Sequence, residues 1–173
     1  SGSIPPALGL LDKLQKLSIQ DNSLTGSIPE MGQCKNLASI DLSSNALTGS
    51  IPSSFSALSK LEMLLVQDNS LRSSHIEANT FNFIDPLVQR KLTVLNIASN
   101  NFTGTLSESV FALPSLQVLF AGSNCFSGAL PSNICNARNL EILELSSLSS
   151  GPSCRKYIWA GTAFEGGFDS FVA

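Results

Sequence analysis

The sequence predicts a mostly β solenoid, in which short repeated units stack into one domain. The segment N-x-L-T-G-S-I-P begins at Asn22 and again at Asn45. Around it runs a longer pattern, L-x-x-L-x-L-x-x-N-x-L/F, whose L-x-L part alternates as a β-strand does. Glycine and proline fall mostly at fixed positions of this repeat. A unit this small cannot bury its apolar side alone, but stacked units share a continuous core.

Six copies of the pattern follow one another along the chain. Their turn position is taken by Asn22, Asn45, Asn69, Asn100, Asn124 and Leu148, in steps of 23, 24, 31, 24 and 24 residues. Asparagine at such a turn can satisfy backbone N–H and C=O groups that would otherwise be orphaned in the interior. Stacking therefore predicts a ladder of the five asparagines, interrupted in the sixth copy.

Composition excludes several classes of protein. The chain has 173 residues, of which 43% are hydrophobic and 13% charged, which suits one folded domain and argues against disorder. A formal net charge of −3 gives no reason to expect nucleic acid. No apolar run is long enough to span a membrane, and the opening segment lacks the features of a signal peptide.

The repeat tails resemble the plant-type subclass of the leucine-rich-repeat family. They read L-T-G-S-I-P at 24–29 and 47–52, and more weakly F-T-G-T-L at 102–106 and F-S-G-A-L-P at 126–131. The resemblance covers 1–148 and implies an α/β-type, mostly β fold. This would be a right-handed superhelix with a concave parallel sheet, a second short strand in each tail, and an irregular or 3-10 convex side. The later part also looks like secreted or surface repeat proteins of microalgae.

Two segments break the repeat. The 31-residue step contains an insertion within 72–91, which is interpreted as a bulge on the convex side or as a contact loop carrying His75, Phe81 and Phe83. His75 is the single histidine, and without a nearby ligand cluster it is expected to be a surface residue. The second break is an irregular segment, 146–167. Both ends resemble severed units, so we expect a single domain over 1–173, of about seven coils of about 24 residues, from a longer array.

The four cysteines lack the paired spacing of a zinc site. Cys34 is expected to be free and buried. Cys125, Cys135 and Cys154 cluster near the sixth coil, where Cys154 could reach either of the other two; we favour Cys135–Cys154. A bridge would indicate an oxidising compartment, whereas three reduced thiols would suit a cytosolic solenoid.

Asn101 begins the sequon Asn-Phe-Thr and is a glycosylation candidate. Together with the clustered cysteines and the plant-type tails, it favours an extracellular or cell-surface location. The sequence shows no catalytic motif of a hydrolase, metalloprotease, P-loop or kinase. Neither enzyme activity nor a cofactor or metal is therefore expected.

The predicted sheet instead offers a binding surface. Residues flanking the central leucine of each L-x-L should face the concave side, and from the third coil onward many are apolar. The predicted ligand-binding residues are Met63, Leu65, Val94, Asn96, Val118, Phe120, Ile142 and Glu144. An apolar patch on a face that should be wet suggests a partner site, with Phe120 as its anchor. The alternative is that these residues merely favour strands.

These observations lead to a functional hypothesis and two alternatives. The first is a ligand-recognition segment of a receptor-like or secreted protein that holds a protein, peptide or glycan on its concave face. It has no membrane span of its own but could be anchored in the full-length protein. The alternatives are a structural wall or adhesion protein, in which the array is a spacer, and an intracellular scaffold.

Overall fold

The computed structural model describes residues 1–73 and 81–148 as a stack of similar coils. The first half contains β1 (Gly2–Ser3), a 3-10 helix (Pro6–Leu10), β2 (Lys16–Ser18), β3 (Leu24–Ser27), β4 (Ser39–Asp41), β5 (Ala46–Gly49), a second 3-10 helix (Ser53–Ala57), β6 (Met63–Leu65) and β7 (Ser70–Leu71). The second half contains β8 (Val94–Asn96), β9 (Thr103–Gly104), the α-helix α1 (Glu108–Phe111), β10 (Val118–Phe120), β11 (Cys125–Phe126), a third 3-10 helix (Ser132–Asn136) and β12 (Ile142–Glu144).

The strands form parallel sheets on two sides of the stack. The larger sheet has six strands in the order β12-β10-β8-β6-β4-β2, one from each repeat. The tails form a second set, with β1-β3-β5-β7 in one sheet and β11-β9 in another, and an isolated bridge joins Arg72 to Asn101 between them. The 3-10 helices and α1 lie opposite the six-stranded sheet. This confirms the predicted solenoid, with its concave sheet, second strands and 3-10 turns.

The core lies where the repeat pattern places it. The central residues of five strands of the large sheet, Leu17, Ile40, Leu64, Leu95 and Leu119, are buried, and they join one hydrophobic cluster running through the described coils. Their neighbours on the strands stay partly exposed. At the last described strand the central Leu143 is 39% exposed. The central side chain of each strand is thus covered by the neighbouring coil, as expected for units that are too small to bury their apolar side alone.

The asparagine ladder joins each coil to the coil before it. The Asn100 side chain donates to Ile97 O at 3.3 Å and Ala98 O at 3.0 Å in its own coil, and to Val66 O at 2.9 Å in the preceding coil. Its Oδ1 accepts from the backbone N–H of Leu71 at 2.9 Å. Asn45, Asn69 and Asn124 repeat this arrangement. Among the described residues, the side chain of Asn22 in the first coil makes only the two bonds within its own turn.

Each ladder position follows a residue in the left-handed region. These residues are Asp21, Ser44, Asp68, Ser99, Ser123 and Ser147, with φ between 51° and 55°. Such a φ is unfavourable for most side chains, and the hydrogen bonds of the following asparagine hold the turn. In the sixth coil Leu148 stands at the ladder position, yet Ser147 keeps φ 55° and Leu148 is buried. The turn geometry therefore persists where the asparagine is lost.

The described part of the insertion packs into the core. Phe81 and Phe83 are each 1% exposed, and the Phe81 ring stacks on Phe126 with centroids 5.8 Å apart. Phe126 in turn stacks on Phe102 at 6.3 Å. The burial of Phe81 and Phe83 contradicts the alternative in which they belong to a contact loop, because aromatic rings beside the core bury more apolar area inside it than they could outside. His75 lies outside the described residues.

A buried glutamine fixes this insertion, and the sequence pattern did not reveal it. Gln89 is fully buried; its Nε2 donates to Phe55 O at 3.0 Å and to Phe83 O at 3.2 Å, and its Oε1 accepts from Asp85 N at 2.9 Å. One side chain thus connects the insertion to the preceding coil. Because Gln89 lies outside the periodic positions, only its location in space shows this role.

The cysteines differ from the expected pairing. Cys34 is free and buried as predicted, and its Sγ donates to Gly9 O at 3.4 Å. Burial raises the pKa of the Cys34 thiol. Cys135 is a free, exposed thiol and Cys125 is disulfide-bonded, so the favoured Cys135–Cys154 pair is wrong. Cys135 lies in the third 3-10 helix whereas Cys125 lies in β11, and that difference in location could not be read from spacing; Cys154 is outside the described residues.

Candidate functional site

The predicted ligand-binding residues lie together on one face of the six-stranded sheet. The strand register aligns them in two rows that cross the strands. From β4 to β12, row one consists of Ser39, Met63, Val94, Val118 and Ile142, and row two consists of Asp41, Leu65, Asn96, Phe120 and Glu144. The edge strand β2 continues the two rows with the exposed side chains of Lys16 and Ser18. Neighbours in a row are about 4.8 Å apart, because that is the spacing of hydrogen-bonded strands.

The two rows are accessible at the surface. Ile142 is 47% exposed and the other members of both rows are half-buried, while the central residues between the rows are buried except Leu143. The apolar members of adjacent strands are direct neighbours in register, so Met63, Val94, Val118 and Ile142 form a continuous strip. Leu65 and Phe120 border that strip in row two. The chain therefore presents a contiguous apolar surface on the concave sheet.

Acidic side chains stand at both ends of row two. Asp41 Oδ1 accepts from Ser43 N at 3.1 Å and from Ser43 Oγ at 2.6 Å. At the other end Glu144 Oε1 accepts from Ser146 N at 2.8 Å and from the Ser146 hydroxyl. Each carboxylate is thereby oriented by a serine two residues later. The sequence-based site included Glu144 but left out Asp41, which belongs to the same row.

Gly122 gives the Glu144 carboxylate its space on the sheet. A Cβ at Gly122 would lie 2.6 Å from Glu144 Oε2 and 2.7 Å from Oε1. It would also lie 2.6 Å from Ser146 O, a backbone atom that cannot move aside easily. Gly122 is buried and lies two residues after β10, the strand that pairs with the strand of Glu144. The absence of a side chain there lets the carboxylate lie over the sheet next to Phe120.

Two further polar groups belong to this face. Ser39 Oγ and Gln67 Oε1 are buried atoms with no hydrogen-bond partner among the described residues. Ser39 begins row one next to Met63, and Gln67 follows Leu65 by two residues. Buried polar atoms without partners are uncommon in folded proteins. Both groups retain hydrogen-bonding capacity beside the apolar surface, and the sequence-based site omitted them.

The other predicted site residues lie away from these rows. Asn101 is half-buried at the bridge to Arg72, on the side of the second strands, and its N–H donates to Leu71 O at 2.7 Å. A groove of about 330 Å³ lies between α1 and the third 3-10 helix. It is lined by Phe111, Ala112, Leu113, Pro114, Asn133, Asn136, Arg138 and Asn139. None of the predicted ligand-binding residues contributes to that groove.

The described coils carry neither a membrane-spanning helix nor a metal cluster. Within residues 1–73 and 81–148, no helix combines the length and apolarity needed to cross a membrane. In the same part of the chain, no group of three or more histidine, cysteine, aspartate or glutamate side chains could hold a metal ion.

The stacked coils, their parallel sheets and the asparagine ladder define a leucine-rich-repeat protein. The family model described as Leucine rich repeat matches residues 12–71, and a second model, Leucine Rich Repeat, matches residues 91–113. Among curated proteins, Receptor-like protein 32 of Arabidopsis thaliana is 33% identical over 176 residues, covering 99% of this chain and 18% of the relative. The chain belongs to the plant-type leucine-rich-repeat proteins, and its relatives are receptor-like proteins.

Solved structures agree with this assignment. The ectodomain of the Arabidopsis thaliana membrane receptor kinase GASSHO1/SCHENGEN3, in complex with CASPARIAN STRIP INTEGRITY FACTOR 2, is similar at a TM-score of 0.74 and 34% identity. That match covers 84% of this chain and 17% of the other. The Arabidopsis receptor kinase HAESA, in complex with the peptide hormone IDA and the co-receptor SERK1, matches at a TM-score of 0.75 and 32% identity, covering 84% and 24%.

The described coils correspond to a part of such proteins. The chain spans less than a fifth of the length of the first curated relatives it matches.

Proposed function

We propose that this chain is a non-catalytic recognition module that binds a peptide or protein segment across the concave face of its six-stranded sheet. The observation that carries the proposal is the pair of registered rows, which places Leu65 and Phe120 beside a strip of apolar side chains at the surface. Surface patches of this kind mark interaction sites when they are contiguous and bordered by polar residues. Half-buried Phe120, at the centre of the described patch, is the anchor.

The chemistry of the face favours a peptide over a glycan. Met63, Val94, Val118 and Ile142 offer apolar area and no hydrogen-bonding groups, which suits aliphatic and aromatic side chains. The similar receptor ectodomains support the same proposal, because the HAESA structure holds a peptide hormone. Recognition would use many shallow contacts spread over several strands. No residue in the rows has a base or nucleophile arrangement that would suggest catalysis.

We place the module outside the cell or at its surface. Cys125 is disulfide-bonded, and disulfides persist in oxidising compartments. This supports the location over an intracellular scaffold. Asn101 remains the proposed glycosylation site. Mass spectrometry of unreduced protein from a plant secretory host should show a cross-linked Cys125 and a glycan on Asn101, and a reduced Cys125 with an unmodified Asn101 would contradict this location.

A random peptide library tests the binding proposal, because it requires no choice of ligand. Phage-displayed random dodecapeptides are selected on the folded protein, and retained peptides are then measured against Phe120→Asp. Because truncating or charging an anchor typically costs about 2 kcal/mol or more, we expect affinity to fall at least about thirtyfold. The matched control is Leu87→Asp, which introduces the same charge at an 82%-exposed leucine in the insertion.

Comparison of Phe120→Asp with Leu87→Asp tests whether the peptides bind the concave site. Circular dichroism and thermal melting verify that both remain folded. Loss of binding in Phe120→Asp with retention in Leu87→Asp supports the concave site. Failure of the library to yield any binder, or equal binding by wild type and Phe120→Asp, overturns the proposal. In the latter case the array would be better described as a spacer.

A further inference from the structure

Row two alternates in character along the axis of the stack. From β4 to β12 it runs acidic, apolar, amide, apolar, acidic, through Asp41, Leu65, Asn96, Phe120 and Glu144. The two apolar members are separated by two strand steps, and each has an acidic neighbour on its outer side. Within these five strands the order of residue types is the same in both directions, whereas Ser18 of β2 lies beyond Asp41 at one end.

The strand spacing sets the spacing of side chains in a matching ligand. Two strand steps place Leu65 and Phe120 about 9.6 Å apart. A polyproline II chain has three residues per turn and rises about 3.1 Å per residue, so residues i and i+3 lie on the same side of the ligand and about 9.3 Å apart. Apolar ligand side chains at positions i and i+3 would thus contact Leu65 and Phe120 together. Spacings of two or four residues would miss one of them by about 3 Å.

The carboxylates at the ends of the row define the flanking residues of the ligand. Asp41 and Glu144 each use the same oxygen for both serine hydrogen bonds, which fixes the carboxylate on the concave face. Gly122 leaves room for the Glu144 carboxylate next to Phe120. The amide of Asn96, between the apolar members, has its Oδ1 occupied by Ala98 N at 3.1 Å. Lysine or arginine in the ligand, with a long flexible stem, can reach a carboxylate one strand away.

We propose that the module recognises a peptide in the polyproline II conformation with the pattern basic, apolar, two intervening residues, apolar, basic. The apolar residues contact Leu65 and Phe120, and the basic residues pair with Asp41 and Glu144. This inference deepens the proposed peptide-binding function and rests on it. Glu144 and Asp41 are thereby specificity-determining residues, whereas Phe120 supplies affinity.

Synthetic peptides test the spacing first. The reference peptide contains Lys-Leu-Ser-Ser-Phe-Lys within a glycine-serine frame and carries a fluorophore for polarisation measurements. Matched peptides place one or three serines between leucine and phenylalanine, or replace both lysines by glutamate. We expect the reference peptide to bind at least about tenfold more tightly than each of the three, a difference corresponding to loss of one apolar contact or reversal of the flanking charges.

Protein variants then test the charge assignment. Glu144→Lys should lose the preference for lysine-flanked over glutamate-flanked peptide, whereas Glu108→Lys, the same change at an exposed position of α1, should retain it. Glu144→Gln, which removes the charge with little change in shape, serves if the lysine variant does not fold. The preference should also weaken between about 50 and about 500 mM NaCl, since salt screens exposed charge pairs.

The outcomes separate this inference from the proposed function. Equal affinity for all spacings, or an unchanged charge preference in Glu144→Lys and Glu144→Gln, overturns the peptide pattern. If library peptides depend on Phe120 but lack the pattern, the inference fails while the binding function stands. If no peptide depends on Phe120, both fail.

Discussion

Removing the Gln89 side-chain amide should destabilise the packing of the insertion against the core. Gln89→Leu keeps most of the side-chain volume but abolishes the bonds to Phe55 O, Phe83 O and from Asp85 N. Phe55 O retains the bond from Leu58 N at 3.0 Å, so its loss is partial. Phe83 O and Asp85 N lose these partners beside a fully buried side chain.

The expected magnitude follows from the groups left behind. Each buried polar group without a partner costs about 1–3 kcal/mol, and Asp85, being half-buried, can recover part of this from water. We therefore expect Gln89→Leu to lower the free energy of unfolding by about 2–4 kcal/mol. For a chain of this length that corresponds to a fall of roughly 4–16 °C in melting temperature.

The measurement is urea denaturation followed by circular dichroism, with the same substitution at an exposed glutamine as the control. Gln33→Leu should change the free energy of unfolding by less than about 0.5 kcal/mol. Gln89→Glu should be at least as damaging as Gln89→Leu at neutral pH, because a carboxylate would face two carbonyl oxygens. If Gln89→Leu unfolds at the same urea concentration as Gln33→Leu, the hydrogen bonds do not hold the insertion and this reasoning is refuted.

Three further outcomes follow from the ladder and the thiols. Asn124→Ala should lower the free energy of unfolding, measured by urea denaturation, by about 3 kcal/mol, because its four backbone partners are buried. Asn22→Ala should lower it by less than about 1 kcal/mol because Asn22 is exposed. Equal losses in the two variants would contradict the ladder. In the native oxidised protein, maleimide should label Cys135 and spare Cys34, as peptide mass spectrometry would show, and the reverse order would contradict the fold. Burial raises the pKa of the Cys34 thiol, so the stability that this thiol contributes is complete below its ordinary pKa of 9.0 and is lost as the pH rises toward its pKa in the folded protein. Cys34→Ala should therefore remove this part of the decline in melting temperature at alkaline pH.

Periodic residues were predictable, since each coil repeats the environment of the coil before it. The sequence alone placed Leu64 and Leu119 inside and Leu65 and Phe120 at the surface, because alternation on a strand leaves no other arrangement once the repeat is recognised. It also identified the ladder, since an asparagine at a constant phase implies a constant set of backbone partners. The binding role of the surface residues remains a prediction.

Non-periodic residues were decided by tertiary structure. The burial of Phe81, Phe83 and Gln89 depends on where the insertion folds back onto the coils, and no repeat position specifies that path. The thiols show the same limit: Cys125 and Cys135 are ten residues apart in sequence, but one lies in a strand of the tail and the other in an exposed 3-10 turn. A repeat encodes the contacts between coils; a contact made once in the chain is set by packing in three dimensions.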